Sequence, residues 1–216
     1  MAIVHWASAA PPDDGELALM TPAELRRLSR FRRSGDRARF ATATVLTRRA
    51  VAVELGIEPR SVELDRRCER CGADHGRPRV PGSGLHLSIA HAGDVAGVAV
   101  TRVGRVGLDI ESHSGDSVDD FADQVLGHGE RAEGPGDLLR YWVRKEALVK
   151  ATGDGIGIGL PHVVVSRPSE PPRLIRYPGR RLHARMADLS CCAGYLASIA
   201  VLTEHEVLIR EEWSKR

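Results

Sequence analysis

Residues 138–152 run without Gly or Pro in a chain of 216 residues that carries 22 Gly and 12 Pro. Leu, Ala, Val, Trp and Lys fill the stretch and Gly153 follows it, so it reads as a helix with a glycine stop. At about 3.6 residues per turn, Trp142, Glu146 and Lys150 share one stripe. Upstream, Val106-Gly107-Leu108-Asp109-Ile110-Glu111 alternates and is rich in Leu and Ile, which reads as a strand. Period two sends Asp109 and Glu111 to one face and Leu108 and Ile110 to the other. Two carboxylates from a strand and one from a helix could converge on a hard cation, with a lysine one turn away. Magnesium with a substrate phosphate is the usual occupant of such an oxygen-rich site. Taken singly, each half has a plainer reading. Glu146 and Lys150 make an i,i+4 helix pair worth roughly 0.2–0.5 kcal/mol, and Asp109 and Glu111 suit the solvated face of an edge strand.

The chain is longer than one minimal domain and shorter than two full ones, and a unit of this size buries a sizeable core without staples. A net charge of +2 gives no global sign of nucleic-acid binding. The charge is uneven, however: Arg26, Arg27, Arg30, Arg32, Arg33, Arg37 and Arg39 crowd one segment, followed by Arg48 and Arg49. Such a cluster suits phosphate groups or an acidic protein partner, or else is a solvated helix face. No apolar run approaches the ~18–20 residues of a membrane span. The amino terminus has neither a basic region nor a long apolar one. The expectation is a cytoplasmic protein with no membrane partner, in which Cys68, Cys71, Cys191 and Cys192 are thiols.

In chain order, a strand is expected at 3–6. Thr21-Pro22-Ala23-Glu24 is a capping box with Pro at the first helical position, opening a helix that runs to about Phe31. Ser34-Gly35-Asp36 breaks it, and Asp36 can cap a second helix over 37–55 that Gly56 stops. A short strand is expected at 62–64. Cys68 and Cys71 with His75 can bind zinc, but a structural site needs four ligands and three candidates lie here. Residues 85–93 alternate into a turn, and strands at 95–101 and 105–111 joined by Arg102-Val103-Gly104 read as a hairpin. Residues 117–126 look helical, and Asp137 can cap the 138–152 helix. The run Gly153 to Gly159 follows a helix, so it reads as a helix stop and mobile loop rather than a dinucleotide fingerprint. Further strands are expected at 163–166, 173–177, 181–186, 194–202 and 207–209. Helices followed by β-rich runs in 1–103 loosely recur in 104–216, with no repeat at residue level.

Gly107-Leu108-Asp109-Ile110-Glu111 followed by Trp142-Val143-Arg144-Lys145-Glu146-Ala147-Leu148-Val149-Lys150 resembles, in order and spacing, the signature of the Sfp-type 4′-phosphopantetheinyl transferases. His75-Gly76-Arg77-Pro78 is similar to that family's G-[KR]-P element. Ile89-Ala90-His91-Ala92 is similar to its S-H element, with alanines at two positions that are often hydroxylated. The resemblance implies an α+β fold of two similar α/β halves related by a pseudo-two-fold, each an antiparallel sheet packed by helices. The halves would be 1–103, with coenzyme A phosphate contacts, and 104–216, with the metal site and signature helix. It implies transfer of 4′-phosphopantetheine from coenzyme A to a serine of an acyl or peptidyl carrier protein, releasing adenosine 3′,5′-bisphosphate.

By that resemblance Asp109, Glu111 and Glu146 would hold Mg²⁺, while Lys150 and His91 donate to the pyrophosphate. Glu146 is the candidate acceptor of the serine proton. Arg27, Arg77 and Lys145 would bind other coenzyme A phosphates, with Ser88 and Ala90 lining the coenzyme A site. Glu130 stands where the family often has an acidic residue. The carrier would land in the cleft between halves, including 112–136 with Phe121 and Val125, and the length suits a monomer. The residue chemistry fits independently, because displacement at phosphorus asks chiefly for positioning and charge neutralisation. Two other classes stand beside it. One is a metal-dependent nuclease, whose usual D…[DE]-x-K core differs from Asp109-Ile110-Glu111. The other is a non-enzymatic module binding zinc through Cys68, Cys71 and His75.

Overall fold

Alternation along two strands sets the layers. In β1 (Ala2–Ser8) and β4 (Val106–Ser112), Ala2, Val4, Trp6, Val106, Leu108 and Ile110 enter one shared apolar core. In β1 the intervening positions Ile3 and Ala7 turn to a second core beneath a long helix. Burial of a side chain such as Leu108 or Ile110 contributes about 1.5–3 kcal/mol, so a one-residue slip in either strand would forfeit several such terms. The computed structural model describes residues 1–68, 71–73, 76–113 and 121–214.

The first sheet joins β2 (His86–Ala92), β3 (Val95–Thr101), β1 and β9 (Ile209–Trp213) in the order β2-β3-β1-β9. The second joins β4, β8 (Tyr195–Leu202) and β7 (Ala184–Leu189) in the order β4-β8-β7. A short pair, β5 (Val164–Val165) and β6 (Leu174–Arg176), stands apart. The pairings β1–β3, β2–β3, β4–β8 and β7–β8 are antiparallel, and β9 runs parallel to β1. With β9 left aside, each sheet runs from a first strand through its long helix to two further strands, of which the later lies in the middle. The edges β2 and β4 lie side by side, where the Leu108 amide donates to Ser88 Oγ at 3.0 Å.

Two long helices cover the outer faces: α3 (Ser34–Leu55) over the first sheet and α5 (Asp137–Thr152) over the second. Short helices α1 (Asp14–Ala18), α2 (Pro22–Ser29) and α4 (Ala122–Val125) flank them. Each long helix buries one arginine. Arg48 pairs with Glu24 at 2.9 Å and donates to the Val62 carbonyl. Arg144 pairs with Asp188 at 2.7 Å and donates to the carbonyls of Ser166 and Arg167. These are satisfied guanidinium forks holding loops to helices. No helix among the described residues is long and apolar enough to cross a membrane.

The Thr21–Glu24 capping box forms as expected, and Gly56 and Gly153 end their helices in the left-handed conformation. Several expectations are corrected. β3 and β4 are not a hairpin, because β4 pairs with β8 in the other sheet; the hairpin is β2–β3, turning at Gly93-Asp94. Asp36 lies inside the first turn of α3 and pairs with Arg39 instead of capping the helix, which starts at Ser34. Asp137 begins α5, with Gly136 at its cap, and accepts from the amides of Glu133 and Gly134 in the preceding loop. No strand forms at 62–64, where Val62 enters the core and Asp65 bridges Arg79. The final strand falls at β9, later than 207–209, and crosses back to the first sheet. The 117–126 expectation lies partly outside the described residues.

Candidate active site

The odd positions of β4 face α5. Gly107 lets the helix backbone settle on the strand, and Asp109 and Glu111 follow on the same side, opposite the Glu146–Lys150 stripe. Lys150 Nζ donates to Asp109 Oδ1 at 2.6 Å. Asp109 is 5 % exposed and Glu146 7 %, whereas the Lys150 side chain remains one-third exposed at the mouth. Asp109 Oδ2 and Glu146 Oε1 are buried with no hydrogen-bond partner among the described residues. Such atoms cost free energy unless something else satisfies them.

The electrostatics follow from this crowding. Burial and the neighbouring Asp109 charge push the Glu146 carboxyl up to about 7, partly offset by Lys150, with Glu111 adding to the rise. Burial raises Asp109 against the pull of Lys150. Burial and Asp109 raise Glu111, while the Trp142 side chain, hydrogen-bonded to it, holds it down. Three carboxylates, all destabilised in their charged form by desolvation and two of them by the Asp109 charge as well, form an all-oxygen set of the kind a hard divalent cation takes. As the side chains stand, no three His, Cys, Asp or Glu among the described residues enclose an ion. The donor chemistry and the two orphaned oxygens fit one, with Lys150 supplying the positive charge on Asp109.

Across the junction of the sheets, His91 lies one residue before the end of β2, on the face turned toward α3. Desolvation first, then the charges of Lys150 and Arg39, holds its imidazole below the ordinary range. Arg39, which sequence reading left in the general arginine cluster, donates to the Gly93 carbonyl at 2.9 Å. Its signal was its place one turn after Asp36 on the helix face over β2. Arg77 donates to the Ala151 carbonyl at the end of α5 at 3.2 Å. With Arg79, Arg105, His86 and Asp65 it lines an open pocket of about 510 Å³. Arg27 lies exposed on α2 with its guanidinium 5.3 Å above the Phe40 ring.

Three sequence expectations meet a different environment. Lys145 is fully buried, donating to the Val125 carbonyl at 2.6 Å, to the Leu160 carbonyl at 3.2 Å and to Glu130. These partners enclose its ammonium, and it pins the loop before α5 to the loop after it. Glu130 also accepts from the amides of Gly127 and Val165, which gives this acidic position a structural role. Ser88 spends its hydroxyl on the β2–β4 junction. The Ala90 methyl sits in the core between the sheets. Cys68 and Cys71 lie on a tight turn, with the Cys68 amide on the Ala73 carbonyl and the Gly72 amide on the Cys68 carbonyl. His75 lies outside the described residues.

Comparison with known proteins agrees with this geometry. Residues 105–200, which span β4 through most of β8, match the family model of the 4′-phosphopantetheinyl transferase superfamily. The chain is 29 % identical over 185 residues to the 4′-phosphopantetheinyl transferase HetI of Nostoc, covering 82 % of this chain and 77 % of that protein. It is 32 % identical over 161 residues to a phosphopantetheinyl transferase of Thraustochytrium, covering 63 % and 54 %. A putative 4′-phosphopantetheinyl transferase of Synechocystis is 26 % identical over 162 residues, covering 69 % and 63 %. Through the strand and helix that carry Asp109, Glu111, Glu146 and Lys150, the chain is similar to the 4′-phosphopantetheinyl transferase superfamily.

Proposed function

We propose that this protein transfers the 4′-phosphopantetheine arm of coenzyme A to a serine hydroxyl of an acyl or peptidyl carrier protein, releasing adenosine 3′,5′-bisphosphate. The observation that carries the reading is the meeting of Asp109, Glu111, Glu146 and Lys150 between β4 and α5, with His91 approaching Lys150 from the other sheet. Asp109, Glu111 and Glu146 would hold Mg²⁺, which when bound supplies Lewis-acid polarisation of the pyrophosphate. His91 and Lys150 donate to the pyrophosphate oxygens. The serine oxygen bonds to the phosphorus that carries pantetheine, and the bond from that phosphorus to the bisphosphate oxygen breaks. The serine proton passes to Glu146, directly or through a metal-bound water. Lys150 at the mouth receives the negative charge of the departing phosphate.

Arg77 and Arg27 serve as further coenzyme A phosphate contacts in this reading, supported by the basic lining of the Arg77 pocket. The recurring strand order supports two related halves, 1–103 and 104–216, with a pseudo-two-fold between them. The carrier docks in the cleft beside 112–136, where Phe121 is exposed and Val125 anchors the core, and the enzyme acts as a monomer in the cytoplasm. Chromatography of reactions containing coenzyme A, Mg²⁺ and an apo carrier protein tests this. Adenosine 3′,5′-bisphosphate should accumulate only when both substrates are present. Its absence across several acyl and peptidyl carriers would sink the reading.

A further inference from the structure

The carboxylates stand on one sheet and His91 on the other, so their separation depends on what ties the sheets together at this end. Besides the Ser88–Leu108 contact, a second side chain does so directly. Tyr195 opens β8 opposite Ser112, one residue beyond Glu111 on the carboxylate strand. Its hydroxyl reaches across to the turn that follows His91 and accepts from the Asp94 amide at 3.0 Å. The fit is close: Gly93 has φ +48°, and a Cβ there would stand 2.4 Å from the Tyr195 hydroxyl and 3.2 Å from its ring carbon Cζ. The same turn is held from its own side by Arg39 on the Gly93 carbonyl and by the Ala9 amide on the Asp94 carbonyl at 2.7 Å. Tyr195 is the tie that comes from the carboxylate-bearing sheet.

We propose that Tyr195 is a positioning residue for the reaction, setting the distance between His91 and the Asp109–Lys150 pair through the Gly93-Asp94 turn. This rests on the coenzyme A reading above. Because Asp94 is exposed, water can replace the phenol on its amide, so losing the hydroxyl should cost geometry more than stability.

The test is calorimetric titration of coenzyme A with Mg²⁺ into the wild type, Tyr195→Phe, His91→Ala and the double variant, with thermal midpoints recorded for each. Tyr195→Phe should weaken binding by about 3- to 10-fold, the range of one hydrogen bond, with its midpoint close to wild type. In the His91→Ala background the same change should add less than about 2-fold, since both act through one contact. Wild-type affinity in Tyr195→Phe, losses that multiply fully in the double variant, or a midpoint that collapses would each overturn the positioning role. Failure of the wild type itself to bind coenzyme A would instead bring down the functional reading.

Discussion

Gly107 lies directly against Ala147: a Cβ on Gly107 would stand 1.8 Å from the Ala147 carbonyl oxygen and 2.5 Å from the Ala151 amide nitrogen. Only hydrogen at this position lets α5 rest on β4 with Lys150 in reach of Asp109. Both contacts are backbone, so nothing flexible can give way. Gly107→Ala should push helix and strand apart and cost about 1–3 kcal/mol or more. It should lower the thermal midpoint and depress transfer together. A Gly107→Ala protein with wild-type rate would show that the close approach does not position the site.

The raised Glu146 carboxyl gives a pH dependence of definite sign. The unfolded chain loses this proton near the ordinary value of 4.5, whereas the folded one keeps it to about 7. Between these values the native state binds more protons, so stability from this group is full below the unfolded pKa and is lost as pH rises through about 7. The loss is on the order of 3 kcal/mol. Mg²⁺ added above pH 7 should restore it by neutralising the carboxylates, and its affinity should rise with pH. Calorimetric melts of the cation-free protein from pH 5 to pH 8 read the slope. Glu146→Gln should flatten both the slope and the Mg²⁺ response; an unchanged slope in that variant would assign the effect to other groups.

Lys145 and Lys150, five residues apart on α5, should separate cleanly. Lys145→Met leaves Glu130 buried without its cation and should cost about 3–5 kcal/mol of stability. Lys150→Met touches a one-third exposed side chain. It leaves Asp109 without its cation, a loss that bound Mg²⁺ takes over, so with Mg²⁺ present it should spare most of the stability while lowering the transfer rate by about 100-fold or more, the scale of one lost charge-stabilising donor. Thermal melts and initial rates on the two variants decide it. Equal melting losses would contradict the division.

An acidic carrier approaching the 112–136 cleft within the field of the arginines on α2 and α3 should be steered by charge. Its apparent KM should rise several-fold between low and physiological salt, about where the screening length falls below 10 Å. Initial rates across a salt series measure this, and a flat profile would argue against a charge-steered encounter.

The site was legible where local pattern alone decides geometry. Period two in 106–111 put Asp109 and Glu111 opposite Leu108 and Ile110, and helical spacing put Glu146 and Lys150 on one face. Lys145 was not legible in this way. It shares the signature helix with Glu146, and only the tertiary placement of Glu130, Val125 and Leu160 turns it inward. The same holds for Ser88 and Ala90, whose face of β2 is covered by a strand from the other sheet. The hairpin expected at 102–104 failed because a short turn between two strands does not say whether they share a sheet, and β8 competes successfully for β4. The Tyr195 tie joins residues 101 positions apart and leaves no local trace.

The most direct measurement is intact mass spectrometry of an apo carrier protein incubated with this protein, coenzyme A and Mg²⁺. The account predicts a gain of one phosphopantetheine on a carrier serine, lost with chelator and lost with Glu146→Gln while that variant remains folded. A gain that persists undiminished in Glu146→Gln, or no gain with any carrier although coenzyme A binds, would contradict it.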